Sequence, residues 1–333
     1  MISPRRIAIS FLRKVIGKDD VRSYLRTKQL ALKKRLYRTT ISEAELRDAF
    51  VKLGVTRGRT VWVQSSWNEF YNFPGKPSTV IDLLREMIGP EGTLVMPAIP
   101  LAFVKFCAAH ARASTVAKPG AALEMAPGQV LQIDREPAST GLICEVFRRY
   151  PGVVRSIHFS SSVIACGPQA EFLVKDHHKT ETPWDPDSPF QRLMQVDALF
   201  IGMGVGRFLA NLTPLHAVES ILRHEIPFFA NIFQGTTTYR WSKGGQQGEH
   251  SFRTRQGTFD GARLGRHYPK EQYVELRLSN LWLWSISARN AINTGVALGR
   301  EGITMFNVSL LDRLRDLRKK RRIYEDLGSK FGS

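Results

Sequence analysis

The sequence predicts an α/β fold on three observations. Short apolar runs with the reach of buried strands recur between residues 60 and 203. Segments with helix start and stop signals separate them, and such alternation builds a sheet covered by helices. The third observation is where the charge lies. The net charge of +18 collects at the two ends: residues 1–40 hold 12 Lys or Arg against 2 acids, and residues 310–333 hold 8 against 4. The 269 residues between carry only +4. The expected architecture is a basic helical N-terminal extension (1–40), a nearly neutral folded body (41–322) and a C-terminal tail (323–333). Basic ends of this kind act as tethers or steering devices.

Element by element, Ile7, Phe11, Leu12, Val15 and Ile16 fall at helical spacing among Arg13, Lys14 and Lys18. Residues 1–18 therefore read as a basic amphipathic helix for a membrane surface or partner, or as a solvated helix docked on the body. Arg5 and Arg6 do not make an export signal, because the apolar stretch after them is short and interrupted by charge. Ser42 and Glu45 form a capping box, opening a helix that Gly54 closes. A strand is expected at 60–64, then a helix over 79–88 capped by Ser78 and ended by Gly89 and Pro90, then a strand at 93–96. A helix over 141–150, a strand over 162–166, helices near 170–175 and 189–196, and a strand over 198–203 come next. Pro214 starts a helix carrying His216 and Glu219. Later strands are expected at 236–241 and 273–278, a Gly-rich surface excursion over 244–266, and a basic terminal helix over 306–322. No apolar run is long enough to span a membrane. Cys107, Cys144 and Cys166 are odd in number and form no CxxC pair, which points to reduced thiols in a cytoplasmic protein.

Three constellations carry candidate chemistry. His158 lies in a loop with Ser156, Ser160, Ser161 and Ser162, just before a strand. It is a base that hydroxyls can orient and substrate can reach, or a surface histidine among hydroxyls. His216 and Glu219, at i and i+3, share a helix face. Such a carboxylate can hold His158 in one tautomer, bind a substrate ammonium, or belong to an ordinary exposed pair. Gln64, Ser65 and Ser66 end a strand, and strand C-termini face the ligand crevice of open α/β sheets. They are candidate binding groups, or a Ser-rich turn.

The segments Val61-Trp-Val-Gln-Ser-Ser66, Gly89-Pro-Glu-Gly-Thr-Leu-Val-Met-Pro97, Arg155-Ser-Ile-His158, Ser188-Pro-Phe190 and Leu215-His-Ala-Val-Glu219 occur in one order and spacing. In this the chain resembles the aminoglycoside 3-N-acetyltransferase family over roughly 41–222. The resemblance implies a single α/β domain, acetyl-CoA as donor with no metal, and direct attack of an amino-sugar nitrogen on the thioester. It implies His158 as general base, Glu219 as its acidic partner and His216 as a second site residue. Ser65, Ser66 and Ser162 would line the donor or oxyanion region, with Arg155 and Ser156 beside them. Three features depart from the family pattern: Phe159 stands where proline is usual, Gln64 where histidine is frequent, and the first 40 residues are an addition.

Other classes fit less well. No Gly-x-Ser-x-Gly marks a hydrolase nucleophile. His177-His178 and Cys107-x-x-His110 lack a second pair at zinc spacing. Gly202-x-Gly204-x-Gly206 lacks the full dinucleotide fingerprint and reads as tight turn packing. A nucleic-acid or membrane binder acting through the basic ends is the alternative of a different class, and it would show steep salt dependence. On the enzyme reading no nucleic acid is bound, residues 1–18 make peripheral membrane contact, and a homodimer is a further expectation. Aminoglycosides are polycations, which a +18 chain repels at low salt. That favours a less cationic acceptor, as in surface-polysaccharide or secondary-metabolite biosynthesis, beside antibiotic resistance.

Overall fold

Two of the predicted strands, β1 (Thr60–Ser65) and β2 (Thr93–Pro97), lie side by side and parallel at the centre of a mixed sheet. The computed structural model describes residues 34–112, 122–255 and 259–306, together with 28, 31 and 32. The expected N-terminal amphipathic helix, nearly all of the terminal helix expected over 306–322 and the tail 323–333 lie outside the described residues.

The main sheet also holds β5 (Val154–Arg155), β6 (Val163–Cys166), β7 (Leu199–Met203), β10 (Tyr273–Leu278) and β11 (Leu281–Ser287). Its order is β10-β11-β7-β1-β2-β6-β5. β7, β1 and β2 run parallel, and antiparallel neighbours complete both flanks. All six residues of β1 are buried, as central parallel strands require. Alternation along β1 divides the core. Val61 and Val63 face a cluster with Leu46 and Phe50 of α1 (Glu43–Lys52), Leu84 of α2 (Pro77–Ile88) and Phe147 of α4 (Leu142–Phe147). Trp62 faces the opposite cluster. That cluster also holds Leu173 of α5 (Ala170–Val174), Phe190 of α6 (Pro189–Gln195), Leu222 of α7 (Ala217–Leu222), Phe229 of α8 (Pro227–Ile232) and Ile292 of α10 (Ala288–Arg300). Each such valine, leucine, isoleucine or phenylalanine contributes about 1.5–3 kcal/mol relative to exposure.

A second sheet of β3 (Ala122–Glu124), β4 (Leu131–Gln132), β8 (Gly235–Lys243) and β9 (Gln246–Thr254) closes over the loop after β5. Its own core holds Ile133, Phe159, Tyr239, Trp241 and Phe252, with Phe103 and Phe106 of α3 (Leu101–Arg112) against it.

The Ser42–Glu45 capping box forms as read, Glu45 N donating to Ser42 Oγ at 3.2 Å and Ser42 N to Glu45 Oε2 at 2.8 Å. Gly202 faces the indole of Trp284 across the β7–β11 pair, with no room for a Cβ, and Gly204 takes φ +67°. Backbone packing thus accounts for both glycines. Four expectations change. The cap of α2 is Lys76 with Pro77 next, not Ser78. His216 ends a 3₁₀ turn, Thr213–His216, and the α-helix begins only at Ala217. The excursion over 244–266 contains β9, folded back on β8 through Gly244 and Gly245 at φ +55° and +80°, and a short helix α9 (Gly261–Gly265). β11 and α10 were not anticipated. Among the described residues no helix is long and apolar enough to cross a membrane.

Candidate active site

A cleft of about 450 Å³ opens at the C-terminal ends of β1 and β7, lined by Gln64, Ser65, Ser66, Gly204, Asn211 and Trp282 among others. This is where parallel α/β sheets gather ligands. The predicted Ser65 and Ser66 both stand in it. Gln64 Oε1 accepts from Thr213 Oγ1 at 3.2 Å, tying this edge to the turn that ends at His216.

Pro214 lies in the first turn of that 3₁₀ segment, and the i, i+3 spacing then sets His216 beside Glu219. His216 Nδ1 is 3.1 Å from Glu219 Oε1 and 3.3 Å from Oε2. Both side chains are buried, at 3% and 1% exposure. Trp184 and Phe259 pack on the His216 ring at 5.0 and 4.5 Å between centroids. Burial pushes the Glu219 carboxyl up to about 8, while the Arg255 guanidinium pulls the other way. His216 lies well below the usual imidazole range, through burial first and the Arg255 charge second. Asp185, the next residue after Trp184, accepts from Thr182 N at 2.7 Å and from Ser220 Oγ of α7 at 2.6 Å.

His158 occupies a different compartment. It is fully buried beneath the small sheet, its ring 4.5 Å from His177, 4.6 Å from Phe252 and 6.0 Å from Tyr239. Nδ1 accepts from Ser160 N at 3.2 Å, and Nε2 is enclosed without a partner among the described residues. Burial and the neighbouring His177, His250 and His178 hold it well below its ordinary pKa. The expected loop histidine within reach of substrate is therefore corrected to a covered one. Phe159 supplies the physical reason: in place of a proline it packs on Phe103, Phe106 and Tyr239 at 5.2–5.5 Å and seals the loop under the sheet. Glu219 engages His216 and makes no contact with His158, so the expected His158–Glu219 pairing is not formed.

Arg155, Ser156 and Ser162 are inside the fold rather than along the cleft. Arg155 donates from Nε to Ser162 Oγ at 3.0 Å, from Nη1 to the carbonyls of Ile133 and Glu136, and from Nη2 to that of Ala98 at 2.6 Å. Its burial lowers the guanidinium to about 10. Ser162 Oγ donates to the Ala98 carbonyl at 2.6 Å. Ser156 Oγ accepts from Val163 N at 2.8 Å and meets His177 Nδ1 at 2.9 Å. His177 Nε2 donates to the Pro183 carbonyl at 2.9 Å, which makes Nδ1 the acceptor, and burial takes its pKa down to about 3. These groups fasten the β5–β6 hairpin. Sequence reasoning passed over Arg255, Trp184 and Phe259. They surround His216 but come from positions 32 to 43 residues away in the chain, with no shared local pattern.

A sequence profile described as aminoglycoside 3-N-acetyltransferase matches residues 62–298. The chain belongs to the aminoglycoside 3-N-acetyltransferase family. It is similar to aminoglycoside N(3)-acetyltransferase VIII of Streptomyces fradiae, 33% identical over 184 residues, which are 53% of this chain and 58% of the relative. The match thus spans about three fifths of that relative's length. Among solved structures, the aminoglycoside acetyltransferase AAC(3)-Xa shares the fold at TM-score 0.62 and 22% identity, over 84% of this chain and 99% of its own. AAC-IIIb, binary with CoASH, does so at TM-score 0.63 and 18% identity, over 81% and 100%.

Proposed function

We propose that the chain transfers the acetyl group of acetyl-CoA to the amine of an amino sugar, with His216 as the general base and Glu219 as its partner. The observation that carries this is the buried hydrogen bond between His216 Nδ1 and Glu219. An ionised Glu219 accepts the Nδ1 hydrogen and leaves the Nε2 lone pair free to take the proton of the attacking amine. A protonated Glu219 would donate to Nδ1 instead and leave a hydrogen on Nε2, which could then accept nothing. The charge of Arg255 favours the ionised carboxylate and so the competent tautomer. His158 is the lesser candidate for the base, because a backbone N–H rather than a carboxylate meets its Nδ1 and its ring is packed against Phe252 and Tyr239 of the small sheet.

Bound acetyl-CoA supplies the thioester carbonyl. The hydroxyls of Ser65 and Ser66 and the side-chain amides of Asn211 and Asn280, all lining the cleft, suit the amide-bearing pantetheine arm. A family relative solved with CoASH supports this donor. Direct transfer needs no thiol nucleophile, in keeping with Cys144, whose thiol burial raises to about 11. Acetylation of an antibiotic or of a biosynthetic amino sugar are both within this reading, as are peripheral membrane contact and dimerisation through parts outside the site.

The test is release of CoA thiol from acetyl-CoA by purified protein with a panel of aminoglycosides, free amino sugars and nucleotide-linked amino sugars. Turnover abolished in His216→Ala and retained in His158→Ala supports the assignment. The opposite pattern returns the base to His158, and no turnover with any amine sinks the acetyl-transfer reading.

A further inference from the structure

We infer that Arg255 makes this an anion-recognising site, so that the acceptor amine carries a phosphate or carboxylate which pairs with the guanidinium. The inference rests on the role proposed for His216 and names the class of acceptor. Arg255 directly follows β9, and its Nε and Nη1 are enclosed without a hydrogen-bond partner among the described residues. Its guanidinium lies 4.3 Å from the ring centroid of Phe259, 5.8 Å from that of Phe306 and 5.9 Å from that of Trp184. Phe259 and Trp184 also pack on the ring of His216. Base and guanidinium thus share two walls of one compartment. Phe259 is 38% exposed, so one wall of that compartment is a single ring at the surface.

A buried guanidinium with unmet donors is costly, and proteins ordinarily pair it. Arg155 in the same chain shows the ordinary solution, with donors from all three nitrogens placed on oxygens. Around Arg255, aromatic faces compensate part of the charge but accept none of these N–H groups in the plane of the fork. Glu219 is the carboxylate whose charge acts on Arg255, yet its own hydrogen bond goes to His216. What these unmet, charged donors match is an oxyanion, a phosphate or a carboxylate. The oxyanion could come from the acceptor or from the phosphates of CoA. Its place beside the base favours the acceptor, since the whole pantetheine arm separates the CoA phosphates from the thioester.

The experiment compares glucosamine with glucosamine 6-phosphate, which share the amine and differ in the phosphate, in the full chain and in Arg255→Met and Arg255→Lys. Both kcat/KM by thiol release and binding by calorimetry are read, with circular dichroism to confirm folding. The full chain is expected to favour the phosphate by roughly 10–100-fold, the size of a charged hydrogen-bond pair. In Arg255→Met the ratio falls towards one, and in Arg255→Lys, which keeps charge without the fork, it is intermediate. A ratio near one in the unaltered chain overturns the inference, as does a preference that survives in folded Arg255→Met. If Arg255→Met instead erases discrimination between acetyl-CoA and acetylpantetheine, the oxyanion belongs to the donor and the acceptor assignment falls. An Arg255-dependent binding preference without any acetyl transfer sinks the proposed reaction and leaves the anion site standing. Transfer without preference does the reverse, and neither binding nor transfer removes both.

Discussion

His158 and His216 are almost equally buried, yet their surroundings differ in kind. His158 has a backbone N–H, three more histidines and aromatic rings around it, and no carboxylate in contact. His216 has a carboxylate on Nδ1 and a guanidinium sharing its aromatic walls. The first environment stabilises a neutral ring that fills space. The second fixes a tautomer and can offset the positive charge of an imidazolium. Burial alone therefore does not separate the two rings; the proposed assignment of the base rests on the charge of the partner.

The largest effect that can break this comparison is in rate. His216→Ala should lower kcat for acetyl transfer by about 10²–10⁴-fold. His158→Ala should chiefly cost stability, about 1–3 kcal/mol in denaturant unfolding. A larger rate loss in the second, at unchanged stability, would invert the two assignments. Next is Glu219→Gln, expected to cost about 10–100-fold in kcat and to flatten the ionisation limb of the rate below pH 8. A limb that persists would show that another group is titrating.

Arg255→Met sharpens the same point. Removing the cation should raise the carboxyl further, so the pH of half-maximal rate should move up by roughly one unit. A move towards acid would contradict the placement of that charge. The His158 compartment has its own pH signature. His158, His177, His178 and His250 are all held below the ordinary 6.5, His177 to about 3, mainly by burial. The unfolded chain therefore binds protons below pH 6.5 that the folded chain does not, and stability should fall as pH drops from 6.5 towards 3. Hydrogen exchange at about pH 5 should reach β8 and β9 before β1; simultaneous loss of protection would separate these histidines from the small sheet. The smallest effect should come from deleting residues 1–36, which ought to leave transfer to a soluble amine unchanged. Residues 37–41 are best retained, since Asn72 Nδ2 donates to the Tyr37 carbonyl at 2.9 Å and Ile41 N to the Asn72 carbonyl at 2.9 Å.

The central sheet was legible because its strands are short apolar runs bounded by glycine and proline, as with Thr93–Pro97 between Gly92 and Pro100. β11 escaped because no turn separates it from α10: Ser287, its last residue, is also the N-cap of that helix, accepting from Asn290 N. β9 escaped because its outward residues are polar and only Phe252 is buried, so no apolar pattern marks it. In the site, the i, i+3 spacing of His216 and Glu219 was readable from local geometry. The cover over His158 was not, since Tyr239 and Phe252 reach it from 80 residues or more along the chain. The same holds for Arg155, expected beside the donor region, whose donors go to the carbonyls of Ala98, Ile133 and Glu136.

The indole of Trp284 lying over Gly202 also has a consequence for biogenesis. β7, with all five residues buried, is an interior strand only once β11 has paired with it. During synthesis the chain must therefore extend by some eighty residues with one side of Leu199–Met203 unpaired, an apolar edge of the kind that recruits other chains. A product cut short before Leu281 would keep that edge for good, and the yield of soluble protein in a cell should depend on the C-terminal third being made promptly and whole.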